Sequence, residues 1–327
     1  MKILVAGGAG YIGSHTVKEL IKDGFEVIIF DNFSTGKKEL ITGGEVVEGD
    51  LLDKESFSKV FKSHNIGAVL HFASLIQVGE SYINPQKYYL HNLISSLNLL
   101  EVMLEAEVKN FVFSSSAAVY GIPEQIPIYE SHPLNPFNPY GLTKYFVEKI
   151  LQDYDRAYGL KFISLRYFNA AGADPEGNLG EMHEPETHLL PNLLLFLLGE
   201  KENFDLFGVD FPTSDGTAVR DYIHVTDLAK AHVLALKKLL TSSQSEFINL
   251  GTNKGYSVLE IIKKTEGFTG IKIHYKTMPK RRGDVPVLLA SKEKAEKLLG
   301  WHLYYSNIET IIETAWNWHS KLVKSKE

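Results

Sequence analysis

Strand, glycine turn, helix, strand, acid: that order, held within the first 31 residues, limits what the rest of the chain can become. Lys2 to Ala6 is a short apolar run of strand formers, and Gly7, Gly10 and Gly13 follow it at G-x-x-G-x-x-G spacing. Ser14 to Lys22 reads as a helix with Ile12, Val17, Leu20 and Ile21 on one face. Phe25 to Phe30 is a second apolar run, ending on Asp31. This is a βαβ unit of the length a dinucleotide needs. Gly7 lets the chain turn tightly, Gly10 lets backbone N–H groups approach a pyrophosphate, and Gly13 lets the helix lie close to the sheet. Tyr11 and Ile12 stand at the helix start, where unpaired donors and a partial positive charge favour phosphate. Asp31, eighteen residues past Gly13, is placed to accept hydrogen bonds from a ribose diol, with Asn32 beside it. An acid there favours NAD over NADP because it repels a 2′-phosphate, while Lys37 and Lys38 nearby pull the other way.

Further apolar runs extend the same sheet. Glu45 to Asp50 reads as a third strand, and Asp53 as the cap of a helix running to His64. Asp50 either receives an adenine amine or caps a loop. Ile66 to Ala73 is a fourth strand, Asn110 to Phe113 a fifth that breaks into Ser114-Ser115-Ser116, and Lys161 to Tyr167 a sixth that leaves through Asn169 to Gly172. Continuous runs of this kind suit a parallel sheet covered on both faces. Tyr88 to Glu105 is one long helical pattern, with Leu90, Leu93, Leu97, Leu100 and Leu104 expected in the core. Prolines make the stretch from Pro123 loop, and Pro139 opens a helix from Tyr140 to Tyr158. The expected fold is α/β: a Rossmann-type doubly wound parallel sheet over residues 1–172 and a smaller mixed α/β lobe over 173–327. Residues 217–252, around the strand and capped helix at Asp221 to Asp227, are expected to return to the first lobe. Ligands of open α/β sheets lie beyond the carboxyl ends of the strands, so Gly7, Asp31, Asp50, Ala73 and Ser114 to Ser116 should ring one cleft.

Composition excludes several classes. A net charge of −6 and no basic tract longer than Lys280-Arg281-Arg282 give no nucleic-acid partner. The absence of cysteine rules out disulfides and thiolate metal sites and fits a reducing compartment. No apolar run approaches the ~18 residues of a membrane span, and Met1 leads straight into the first strand. Neither membrane nor signal peptide is expected, and the cytoplasm is the expected compartment. His183, Glu184, Glu186 and His188 lie close in sequence, but Asp174 to His188 lacks a helical frame to converge them, so no metal is expected. Lys321 to Glu327 should fray.

The chemistry centres on Tyr140 and Lys144, four apart and so on one helical face. A free phenol has a pKa of about 10, too high for a base at neutral pH. A nearby ammonium, or the charge of an oxidised nicotinamide, favours the phenolate. Tyr140 would then take a proton from an alcohol while the alcohol carbon hands hydride to the cofactor, with Ser116 bonded to the same oxygen.

These features resemble the extended short-chain dehydrogenase/reductase superfamily. Along nearly the whole chain GGAGYIGSHT, HFAS, FSSSAAVYG, NPYGLTK, LRYFNAAGA, DGTAVRDYIHV and NLGT are similar to its UDP-glucose 4-epimerase family. The resemblance implies a tightly held NAD that is reduced and reoxidised in each turnover, a 4-keto sugar that turns over while UDP stays anchored, and a homodimer. It implies that Asn92, Lys144 and Tyr167 approach the nicotinamide, that Phe72 and Ala73 border the cofactor, and that Asp50 and Leu51 meet the adenine. It places Asn169, Leu189, Arg220 and Arg281 on the uridine diphosphate, with Asp284 on the uridine ribose, and counts His188, Phe207 and Tyr222 among the substrate-binding residues. Two guanidiniums suit a diphosphate. Some members carry lysine where this chain has Ile76, and asparagine where it has His188. Leu288 falls at the position thought to gate N-acetylated sugars and leaves UDP-GlcNAc and UDP-GalNAc open; a 4-epimerase of UDP-xylose or UDP-glucuronate, with the same mechanism and another sugar pocket, is a separate alternative. A 4,6-dehydratase needs an Asp-Glu pair where Ala117 and Ala118 stand, and a non-catalytic NAD sensor has no need of Ser116, Tyr140 and Lys144.

Overall fold

The computed structural model describes residues 1–242 and 244–325. Its strands, in chain order, are β1 (Lys2–Ala6), β2 (Glu26–Asp31), β3 (Glu45–Glu48), β4 (Ile66–His71), β5 (Asn110–Ser114), β6 (Lys161–Tyr167), β7 (Asn169–Ala171), β8 (Asp205–Phe207), β9 (Val219–His224), β10 (Glu246–Leu250), β11 (Gly255–Ser257), β12 (Lys276–Met278) and β13 (Val287–Leu288). Seven of them form one parallel sheet in the order β10-β6-β5-β4-β1-β2-β3. The order reverses at β1, where Val5 lies level with Ile29 of β2 on one side and Leu70 of β4 on the other. Both faces are covered. Helices Tyr11–Lys22 and Val225–Ser242 pack on one, over Ile3, Val5, Ile29 and Leu70. Helices Lys54–Ser63, Ser95–Glu105 and Pro139–Tyr158 pack on the other, over Leu4, Ile28, Val69 and Phe111. Each such aliphatic side chain removed from water contributes about 1.5–3 kcal/mol, which explains the near-continuous apolar strands.

Local chemistry sets the element ends. Asp53 caps its helix by accepting from the Ser56 N–H at 3.0 Å, as expected. Asn138 accepts from the Gly141 N–H at 2.7 Å ahead of Pro139, and Gly159, at φ +69°, stops the same helix.

Three expectations change. The Tyr88 to Glu105 pattern is not one α-helix: a short helix, Pro85–Tyr88, passes into a π-helical turn, Tyr89–Ile94, before Ser95–Glu105. That turn shifts the register, so Asn92 and Ser96 face inward while Leu90 is 43% exposed. The region around residue 221 divides: β9 joins a second sheet with β7, β11 and β13, whereas helix Val225–Ser242 and β10 return to the large sheet. The end does not fray at Lys321, because helix Ile308–Lys324 carries through it; Lys326 and Glu327 lie outside the described residues. Leu190, Leu194, Leu206, Tyr222, Ile261 and Ile311 form a further core around the second sheet. No helix among the described residues is long and apolar enough to cross a membrane.

Candidate active site

One cleft of about 1160 Å³ opens at the carboxyl ends of the parallel strands, and every residue named above as binding or catalytic lines it except Asn92. Its floor is the glycine turn. A Cβ on Gly7, which sits at φ +80°, would lie 2.5 Å from the Ala73 nitrogen, and one on Gly13 would lie 2.2 Å from the Gly7 carbonyl oxygen. Those positions exclude any side chain. Asp31 accepts from the Ala9 and Phe33 N–H groups, both at 2.9 Å, so the acid that ends β2 also clamps the turn. Burial pushes its carboxyl up and the two amides pull it back. The residues therefore fit a dinucleotide: a bare backbone cradle, a helix N-terminus above it and a fixed carboxylate beside it. Of the two readings of Asp50, the loop cap is what the structure makes: its carboxylate accepts from the Leu52 N–H at 2.8 Å and from Asn32 at 2.9 Å. Phe72, at the end of β4, packs its ring 4.7 Å from that of His232.

Asn92 stands behind the wall. Its amide accepts from the Leu75 N–H at 2.8 Å and donates to the Leu75 carbonyl at 3.0 Å and to Thr143 at 3.1 Å. Its amide, on the inward side of the π turn, ties the loop after β4 to helix Pro139–Tyr158.

At the centre, Lys144 Nζ donates to Ser74 Oγ and to the Ser114 carbonyl, both at 2.8 Å, and lies 5.9 Å from the Tyr140 ring. Burial lowers the Lys144 ammonium to about 7, against the pull of Glu148. Ser116 caps the turn after β5, accepting from the Ala118 N–H at 3.1 Å, and bonds the Tyr140 hydroxyl. Burial raises the Tyr140 phenol above its ordinary value, with Ser116 opposing. Lys144 thus bonds Ser74 and the Ser114 carbonyl, and burial governs the Tyr140 hydroxyl. Tyr167 meets Ser114 at 2.6 Å on the same wall. Ala117 and Ala118 carry no proton-transferring group next to Ser116.

The far end is cationic. Arg220 donates to the Val219 and Val285 carbonyls at 2.9 and 2.7 Å, and Asp284 lies between it and Arg281, 4.0 Å from the first and 3.3 Å from the second. The Arg281 guanidinium lies 5.3 Å over the Phe207 ring. Burial lowers Arg220 and raises Tyr222 to about 12, each partly offset by the other. Asn169 donates to the Asp221 carbonyl at 3.2 Å, while His188 and Leu189 stand at the start of helix Leu189–Leu197. Sequence reasoning missed Ser74 and Glu148. Ser74 follows a strand end, a readable signal, whereas Glu148 acts through a buried pair with Arg166 that no spacing announces. It also missed the convergence of Glu181, His183, Glu186 and His188, whose ligand-type atoms lie within 4.8 Å of one another despite the irregular backbone.

Comparison with known proteins agrees with this geometry. Residues 3–251 match the model of the NAD dependent epimerase/dehydratase family. The chain is 49% identical to the UDP-glucose 4-epimerase of Halalkalibacterium halodurans over 98% of its own length and 96% of that protein's. It superposes on the Bifidobacterium longum UDP-glucose 4-epimerase, solved with NAD+ and UDP, with a TM-score of 0.95 at 41% identity and 98% coverage of both chains. The Brucella ovis UDP-glucose 4-epimerase, solved with NAD, gives 0.93 at 44% identity over 96% of this chain and 97% of that one. The chain belongs to the NAD dependent epimerase/dehydratase family, on the branch that the UDP-glucose 4-epimerases occupy.

Proposed function

We infer that this protein is an NAD-dependent isomerase that interconverts UDP-glucose and UDP-galactose by inverting C4. One observation carries the reading: Ser116, Tyr140 and Lys144 line a single cleft together with the glycine cradle and with Arg220 and Arg281. NAD, held by the Gly7–Gly13 turn and Asp31, would supply a reversible hydride acceptor and, in its oxidised form, positive charge beside the sugar. The protein does the rest. Tyr140, bonded to Ser116, holds the proton of the reacting hydroxyl and exchanges it as the carbon is oxidised and reduced. Lys144, anchored on Ser74 and the Ser114 carbonyl, keeps the cofactor end of the helix fixed. Arg220 and Arg281 present fixed donors to a diphosphate. The anchored end lets the sugar present either face to the same hydride position. The absence of an acid–base pair at Ala117 and Ala118 disfavours dehydration.

Incubation with UDP-galactose, UDP-GalNAc, UDP-xylose and UDP-glucuronate separately, with products identified by NMR, tests the reading. UDP-galactose should convert to UDP-glucose with deuterium at C4 retained; washout of that deuterium into solvent sinks it. We further propose a homodimer in the cytoplasm. Exposed Leu90 and Ile94 on the π turn, with Phe146 on helix Pro139–Tyr158, support a seam between copies. The lack of cysteine supports the compartment. The division into lobes at 172/173, with a returning segment, rests on the two sheets.

A further inference from the structure

The segment before helix Leu189–Leu197 carries a polar cluster that the reaction does not use. Glu181 is 3% exposed, yet one of its oxygens, Oε1, accepts from two imidazoles: His183 Nδ1 at 2.8 Å and His188 Nδ1. Glu186 accepts from the Thr187 and His188 N–H groups at 2.7 and 2.8 Å, and its carboxylate lies 3.9 Å from His188 Nδ1. A tetrahedral metal ion would hold nitrogen and oxygen donors about 3.3 Å apart. The 2.8 Å spacing is that of a hydrogen bond, so the arrangement is a closed proton-sharing cluster.

Both imidazoles line the cleft, but His183 lies against the Tyr11 ring with its side chain 21% exposed, whereas that of His188 is 42% exposed and shares the lining with Arg220 and Arg281. His188 is also the N-cap of helix Leu189–Leu197, and its side chain makes no cap bond. The ring is thus free to face the cleft beside the first-turn amides of Leu189 and Leu190. The groups facing it are Glu181, His183 and Glu186 from its own segment and Arg281 from the turn before β13.

We propose that Glu181 is a positioning residue that fixes His188 in its cationic form as a third positive group on the diphosphate, beside Arg220 and Arg281. This rests on the UDP-sugar reading above and extends it to a residue that touches no substrate. Glu181 sets the orientation of the ring and favours its cation: the carboxylate holds Nδ1–H, and only the imidazolium carries a second proton, on Nε2, to donate toward an anion. Electrostatics agrees in direction. Burial works against the imidazolium, but Glu181 and then Glu186 outweigh it and raise His188 to about 9, with Arg281 opposing. Glu186 alone is a poor substitute, since burial pushes its carboxyl up and it lies 3.9 Å from His188 Nδ1, beyond hydrogen-bond reach.

Calorimetric titration of the purified NAD-bearing protein with UDP-glucose at pH 6 and pH 8 tests the proposal. Wild type should bind similarly at both. Glu181→Gln should bind about tenfold more weakly at pH 8, the loss of one charge-assisted bond. It should regain part of that at pH 6, where the ring takes up a proton more readily against its burial, with Glu186 still favouring the cation. His188→Asn should be weaker than wild type at both values, and Glu186→Gln, whose side chain no longer titrates, should keep the wild-type response. A Glu181→Gln deficit equal at the two pH values makes Glu181 a mere brace for the loop and overturns the proposal, as does a loss that follows Glu186 instead. In ¹³C-histidine spectra one resonance should titrate near 9 and vanish in His188→Asn; its absence from wild type overturns the proposal too. A wild type that fails to bind UDP-glucose at either pH refutes the underlying function.

Discussion

Tyr140 is bonded to Ser116 and kept protonated by burial, so its phenol is a proton carrier whose charge must come from the loaded site. Tyr140→Phe removes that carrier and little else. Turnover should fall by roughly 10²–10⁴ while UDP binding stays within about threefold of wild type, read by coupled assay and calorimetry. Full activity in Tyr140→Phe would remove it from the mechanism. Asp31 has a double role, since the carboxylate placed for the ribose also accepts from Ala9 and Phe33. Asp31→Ala leaves those amides without partners and should cost about 1–3 kcal/mol of NAD retention, measured as bound cofactor after gel filtration. Retention equal to wild type would refute the ribose role.

Among the elements, the glycine turn and the first helix are the least forgiving. Gly13→Ala drives a Cβ to 2.2 Å from the Gly7 carbonyl oxygen, so the purified variant should carry no NAD and melt well below wild type. Gly267, exposed within helix Val258–Thr269, has nothing within 4 Å of an added Cβ. Gly267→Ala should therefore stabilise the protein by about 1 kcal/mol in urea unfolding. The βαβ start was legible because each of its constraints is local: a strand period, a glycine at positive φ, an acid at a strand end. The helix before β5 was not. Its leucine repeat is compatible with an unbroken α-helix, and what selects the π turn is tertiary, the bonding of Asn92 to Leu75 and Thr143 from elsewhere in the fold. The Glu181–His188 cluster was hidden for a related reason, since an irregular backbone converges side chains at no readable period.

For the whole molecule, five buried imidazoles govern the response to acid. Burial lowers His15, His232 and His319 to about 4 and His71 and His224 to about 3. Between their ordinary pKa of about 6.5 and these values the unfolded chain binds protons that the folded chain refuses, so stability is complete above pH 6.5 and falls as pH drops. At pH 5 each contributes a loss of about 2 kcal/mol. Asp221, raised by burial to about 6, and Glu186 run the other way and recover part of it. Melting temperatures should therefore decline steeply from pH 6.5 to 5, and a flat profile would contradict the buried-neutral assignment. The proposed dimer predicts that Ile94→Lys with Phe146→Lys sediments as a monomer. The path of the chain has a last consequence. After building β9 in the second sheet it comes back to lay β10 against β6, so the large sheet is finished by residues that follow half of the smaller one. No single cut yields two self-sufficient halves: a gene truncated after residue 172 would encode a sheet with a bare edge and an uncovered face, and the nucleotide and sugar halves of recognition must be made, and lost, together.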